Sequence, residues 1–189
     1  MRNSFGKVVL LAGACIAAQP SAWAQAPASM DVAIIYNGTY SNIVPGANFW
    51  MEGGSVQFHG EFWRGLGVAA DIAAMHTANT PGAGAGLNLV TATFGPRYFQ
   101  PLVHNRMDIF GQVLAGEANG LHSVFPTAAG VESSADSLAL QVGGGMNVSL
   151  SRHLAVRAFE ADWLRTQLPN STTGVQNNLR MGAGLVFKF

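Results

Sequence analysis

Hydrophobic and polar residues alternate with a period of two along most of this chain, the spacing that sends successive side chains to opposite faces of a strand. The pattern predicts strands over residues 30–40, 49–62, 66–76, 87–99, 107–117, 137–149, 154–165 and 178–189. In the sixth, Leu138, Leu140, Val142, Gly144, Met146 and Val148 oppose Ser137, Ala139, Gln141, Gly143, Gly145 and Asn147. In the fourth, Val90, Ala92, Phe94, Pro96 and Tyr98 oppose Leu89, Thr91, Thr93, Gly95 and Arg97. One face is apolar throughout, and the other is small, polar or charged.

The breaks between these stretches alternate as well. Short connections at 63–67, 100–106 and 150–154 interleave with longer ones at 41–48, 77–86, 118–136 and 166–177. Short turns on one rim and long loops on the other are the order of an even-stranded up-and-down barrel. Most of the stretches reach the roughly 9–11 residues that a tilted strand needs to cross a bilayer. The sequence therefore predicts an all-β fold, an eight-stranded antiparallel transmembrane β-barrel with its apolar face toward lipid. A soluble barrel holding an apolar ligand is the competing reading, with the faces reversed.

Composition favours the membrane. Only 11% of residues are charged, against 49% hydrophobic, and there are 23 glycines. So few charges would cover the surface of a soluble domain poorly, since such chains carry roughly 25%. The formal net charge is zero, which offers nothing to nucleic acid. At the N-terminus, Arg2 and Lys7 precede the apolar run 8–18 and then small residues, the layout of a secretory signal peptide. Ala22-Trp23-Ala24 fits the small-x-small rule and predicts cleavage between Ala24 and Gln25. The expected organisation is a signal over 1–24 and a barrel over 25–189, and removal of the signal takes with it Cys15, the only cysteine.

Aromatic residues gather near predicted strand ends: Tyr36, Tyr40, Phe49, Trp50, Phe62, Trp63, Tyr98, Phe99, Trp163, Phe187 and Phe189. Such clustering predicts girdles at the two membrane interfaces. With the signal, the alternating stretches, the sorted connections and the terminal "GLVFKF", the chain resembles the small OmpX/OmpA-like barrels of the bacterial outer membrane. The resemblance implies a stand-alone barrel with both termini on the periplasmic side. It also implies an assembly signal in Leu185, Phe187 and Phe189, read by the barrel assembly machinery.

Charged residues within the strands are the candidate functional set: Glu61, Asp71, Arg97, Asp108, Arg157, Glu160, Asp162, Arg180 and Lys188. A mid-bilayer Arg or Lys facing lipid costs about 2–4 kcal/mol, so these are expected to point inward and pair as a polar lumen network. Arg157 and Glu160 have opposite parity; for both to face inward, the strand requires a β-bulge near Ala158 and Phe159. No histidine pair among His59, His76, His104, His122 and His153 has metal-ligand spacing, so neither a metal nor a cofactor is expected. His122-Ser123 is the nearest approach to the His-Ser set of outer-membrane lipid A deacylases, without their H-x-S arrangement. The expected role is structural or surface-interacting and not catalytic. A narrow ion channel through the charged lumen is the alternative, with a lipid-modifying enzyme behind it. Expected partners are outer-membrane lipid, lipopolysaccharide, the assembly machinery, and a surface partner at the loops 41–48, 77–86, 118–136 and 166–177. The protein is expected to be a monomer.

Overall fold

The structure is a computed structural model that describes residues 29–44, 46–81, 85–102, 106–127, 130–170 and 173–189. The signal, Cys15, the cleavage pair Ala24 and Gln25, and His104 lie outside the described residues. The elements are β1 (Ser29–Ser41), β2 (Phe49–Trp63), β3 (Leu66–Thr77), β4 (Leu87–Leu102), β5 (Met107–Thr127), β6 (Gly130–Ser149), β7 (Leu154–Thr166) and β8 (Gln176–Lys188). Each strand pairs antiparallel with its sequence neighbours, and β1 pairs with β8 from Asp31↔Lys188 to Tyr40↔Leu179, closing the barrel. Closure removes the open edges that a sheet cannot carry into lipid.

The alternation sorts the side chains as the pattern requires. Ile34, Val56, Ile72, Phe94, Val113, Leu140 and Met181 point outward and form an exposed apolar band. Their neighbours of the other parity, Ala33, Ser55, Ala73, Thr93, Gln112, Gln141 and Arg180, are buried in the lumen. On β7, Ala158 and Phe159 both face outward while Arg157 and Glu160 both face in. The ladder slips there: Met146 pairs with Phe159 and Asn147 with Arg157, leaving Ala158 unpaired. Deleting Ala158 would make the ladder regular with Arg157 and Glu160 still inward. The variant is therefore expected to keep heat-modifiable migration on gels; loss of the folded band would contradict this register.

The lumen is filled in layers. Toward the long-loop rim, Phe49, Met51, Met75, Leu87, Leu89, Phe125 and Leu164 form an apolar cluster. The first and fourth long connections fold over it and contribute Ile43 and Leu168. Asn170 Nδ2 of the fourth donates to the Ile43 carbonyl of the first (3.4 Å), and Asn42 Oδ1 of the first accepts from Asn177 N–H of β8 (2.8 Å). Below it lies the charged layer, and toward the short-turn rim a cavity of about 300 Å³ opens, lined by Asp31, His59, Glu61, Phe99, Asp108 and Lys188 among others.

Three expectations need correction. Residues 118–136 are mostly not a loop: β5 runs to Thr127 and β6 starts at Gly130, so the strands continue as a hairpin beyond their neighbours. A bulge between Leu121 and Phe125, with His122 at φ 57°, interrupts the pairing and hid the alternation. Phe49 and Phe99 do not join the aromatic girdles. Phe49 has lumen parity and is buried in the apolar cluster. Phe99 also has lumen parity and packs on His59 (4.7 Å between ring centroids) and Phe110 (5.3 Å). Finally, His122, expected within the connection 118–136, lies on β5, while His76 lies on β3 as the predicted strand 66–76 has it.

Candidate functional site

The charged layer is built by strands spread around the barrel. Asp71 comes from β3, Arg97 from β4, Arg157, Glu160 and Asp162 from β7, and Arg180 from β8. All six are buried. An eight-stranded interior is just wide enough for side chains to fill, so arginines on opposing walls reach the same space. Arg180 bonds Asp71 and also Asp162 (3.1 Å), and Arg157 Nη1 bonds Glu160 Oε2 at 2.7 Å. The three guanidinium groups balance the three carboxylates.

Three glutamines join these charges into one network, and sequence reasoning did not single them out. Gln57 Oε1 accepts from Arg97 (2.5 Å) and Arg157 (2.5 Å), while its Nε2 donates to Glu160 Oε1 at 2.7 Å. Gln112 accepts from Arg97 Nε (2.9 Å) and donates to Glu160 (3.0 Å) and Asp162 (2.9 Å). Gln141 donates to Asp71 (3.0 Å) and Asp162 (3.1 Å) and accepts from Thr93. A primary amide offers donors and an acceptor on one end, which suits it to sit between a carboxylate and a guanidinium. The available signal was parity, since Gln57, Gln112 and Gln141 all share the polar face. Phe110 supplies a floor, with the Arg97 and Arg157 guanidinium carbons 4.6 and 4.4 Å from its ring centroid.

The carboxylates of Asp71, Glu160 and Asp162 offer ligand atoms within 4.8 Å of one another. Each of the three carboxylates accepts from a guanidinium of the chain itself, Asp71 through Oδ2. Their chemistry is therefore that of a neutral, cross-linked plug.

The remaining members of the predicted set lie nearer the short-turn rim. Glu61 accepts from Gly65 N–H (2.7 Å) and fixes the first turn, where Arg64 and Gly65 take positive φ. Asp108 accepts from Asn147 (2.7 Å) and lies 3.5 Å from the Lys188 ammonium, which also donates to Ser149 Oγ at 2.9 Å. His59, whose parity points to the lumen, is buried there and its Nδ1 lies 2.9 Å from Asp31 Oδ2. On the outer face near the long-loop rim, His76 Nδ1 lies 2.6 Å from Asn88 Oδ1, and Asn88 Nδ2 lies 2.9 Å from His122 Nδ1. His122 is thus oriented by an asparagine and a second histidine. Leu185, Phe187 and Phe189 all face outward, Phe189 at 79% exposure.

Above the barrel, the hairpin is the most prominent feature. β4 stops pairing with β5 at Leu121, and β7 begins pairing with β6 at Ala139. Residues 131–138 therefore have no strand beside them except β5 among the described residues. That edge is about 27 Å long at strand rise. Val131 and Leu138 are exposed at 68% and 72%, beside exposed Glu132 and Asp136.

A closed eight-stranded barrel of this kind, apolar outside and polar within, has the architecture of the small OmpX/OmpA-like outer-membrane β-barrels. Among solved structures, the chain is similar to Ail, the attachment invasion locus protein of Yersinia pestis, with TM-score 0.59 and 15% identity over 87% of this chain and 100% of that one. It is similar also to Neisserial surface protein A, with TM-score 0.59 and 13% identity over 85% and 97%. The outer-membrane protein OprG of Pseudomonas aeruginosa follows at TM-score 0.50 and 12% identity over 87% and 97%. No protein-family model matches the chain, and no curated protein matches it in sequence. The likeness is one of fold and carries no residue-level correspondence.

Proposed function

We propose that this protein is a non-catalytic surface-interaction protein whose working element is the β5–β6 hairpin, held rigidly above the outer membrane by a plugged barrel. The orientation puts the long loops at the cell surface and both described ends of the chain toward the periplasm. The observation that carries the reading is the hairpin itself, which extends past both neighbouring strands with an exposed edge at 131–138. An exposed edge offers unpaired backbone groups to an extended segment of a partner. Edge pairing between two copies would bring Glu132 and Asp136 near their own kind, so a different, basic partner suits the edge better.

Charge narrows the partner further. No lysine or arginine occurs in 41–48, 77–86, 118–136 or 167–177, whereas Glu132 and Asp136 are exposed on the hairpin. Ail has been crystallised with the heparin analogue sucrose octasulfate, a polyanion. The exposed Glu132 and Asp136 of this chain have the same sign as that ligand, so the hairpin suits cationic segments instead. A conducting lumen is disfavoured by the apolar cluster stacked above the neutral ionic layer. A deacylase is disfavoured because His122 Nδ1 is engaged by Asn88 and no serine hydroxyl bonds to it among the described residues.

The test is adhesion. Cells displaying a variant with Val131-Glu132-Ser133 deleted and the tip closed by Asn-Gly are expected to lose most binding to the surfaces that the parent binds. The variant should keep heat-modifiable migration. Undiminished binding by a folded variant would contradict the reading. In the same reading, Phe189 belongs to the assembly signal, and its deletion is expected to lower the folded fraction in the outer membrane several-fold. An unchanged folded fraction would remove Phe189 from that signal.

A further inference from the structure

The distribution of positive charge has a second consequence, on the other rim. Of the described basic residues, Arg97, Arg157 and Arg180 are spent in the lumen, Lys188 is beside Asp108, and Arg165 is half-buried at the upper end of β7. The others, Arg64, Arg106 and Arg152, occupy the three short turns, one in each. All three are exposed, and their side chains enter no ion pair among the described residues. They also adjoin the lipid-facing band. Arg64 lies over the Trp63 ring at 5.8 Å, Trp63 is 66% exposed, and Leu150 and Phe189 are exposed at 62% and 79%. Aromatic and aliphatic side chains capped by a cation are arranged as a membrane interface needs, with apolar parts among acyl chains and charge at headgroup depth.

We propose that the short-turn rim is a binding surface for anionic phospholipid, with Arg64, Arg106 and Arg152 each pairing a headgroup phosphate of the periplasmic leaflet. Anionic lipid fits because the arginines continue the lipid-facing surface and because the opposite rim has no comparable charge. A guanidinium presents a planar fork to phosphate oxygens, so the contact is a paired hydrogen bond as well as a charge attraction. The barrel would then be oriented between two chemically different leaflets by charge as well as by loop length. The surface is separate from the adhesive hairpin and does not depend on that function.

The experiment uses lipid-reconstituted barrels with Trp50→Phe and Trp163→Phe, leaving Trp63 as the reporter beside Arg64. Quenching by brominated phosphatidylglycerol is compared with quenching by brominated phosphatidylcholine at fixed mole fraction. The parent is expected to favour the anionic lipid by about fivefold for each arginine within reach, weakening with salt. The variant Arg64→Asn, Arg106→Gln, Arg152→Gln is expected to show no preference, and asparagine tolerates the positive φ at residue 64. Glu132→Gln, on the far rim, should leave the preference intact. Heat-modifiable migration checks folding, and Arg64→Asn alone, with a partial loss, serves if the triple variant does not fold. Equal quenching by the two lipids in the parent would overturn the proposal. So would arginine-dependent retention on isolated peptidoglycan sacculi with no lipid preference, which would assign these arginines to the cell wall.

Discussion

Replacing Arg180 with methionine is expected to destabilise the barrel by about 3–5 kcal/mol, the effect of leaving buried charge uncompensated. Arg180 bonds both Asp71 and Asp162, and all three side chains are essentially fully buried. Without the guanidinium, those two carboxylates face each other across a narrow lumen, held only by the neutral amide donors of Gln57, Gln112 and Gln141. Methionine fills most of the volume, so the loss reads charge and not a cavity. Adding Asp71→Asn removes one of the stranded charges and should recover part of the stability. Urea unfolding in lipid vesicles measures all three proteins. An Arg180→Met variant as stable as the parent would show that the ionic layer does not hold the walls together.

The second large effect lies on the opposite face of the same strands. Ile72 is 54% exposed near the middle of β3, between outward-facing Val56 and Ala92. Ile72→Arg is expected to cost about 2–4 kcal/mol, because its charge would sit in hydrocarbon near the bilayer midplane. His76→Arg, four residues along toward the rim, is expected to cost at most about 1 kcal/mol. The pair of substitutions therefore reads depth, since both keep the same outward direction. A similar cost at both positions would mean that the band does not lie at membrane depth. In a soluble barrel an exposed Ile72→Arg would have almost no effect.

The fold was legible because a membrane barrel repeats one simple instruction. Strand parity assigned the faces of β3, β4, β6 and β8, and the charged residues that broke an apolar run marked the lumen. Even the slip on β7 was readable, because Arg157 and Glu160 could share a face only across a bulge. What escaped has physical reasons. Phe49 and Phe99 look like girdle aromatics, yet their parity sends them inward, Phe49 into the apolar cluster and Phe99 onto His59. The glutamines were unreadable as partners because an amide carries no charge to flag, although Gln57 and Gln112 each bond at least three ions and no lumen arginine bonds more than two. The hairpin above Leu121 looked like a loop because both its faces meet water. Once neither face must be apolar, alternation disappears from the sequence while the backbone pairing continues.

The central claim is that the outward parity meets lipid and the inward parity a packed, neutral plug. Site-directed spin labelling tests it directly, on single cysteines placed in turn from residue 68 to 75 along β3 of the reconstituted barrel, in a chain whose only native cysteine is Cys15. A strict two-residue alternation is expected. Labels at Val68, Ala70, Ile72 and Ala74 should be open to oxygen and closed to a water-soluble nickel reagent. Labels at Ala69, Asp71, Ala73 and Met75 should be closed to both. Nickel access at the outward positions, in phase with the same alternation, would contradict it and return the chain to the soluble barrels.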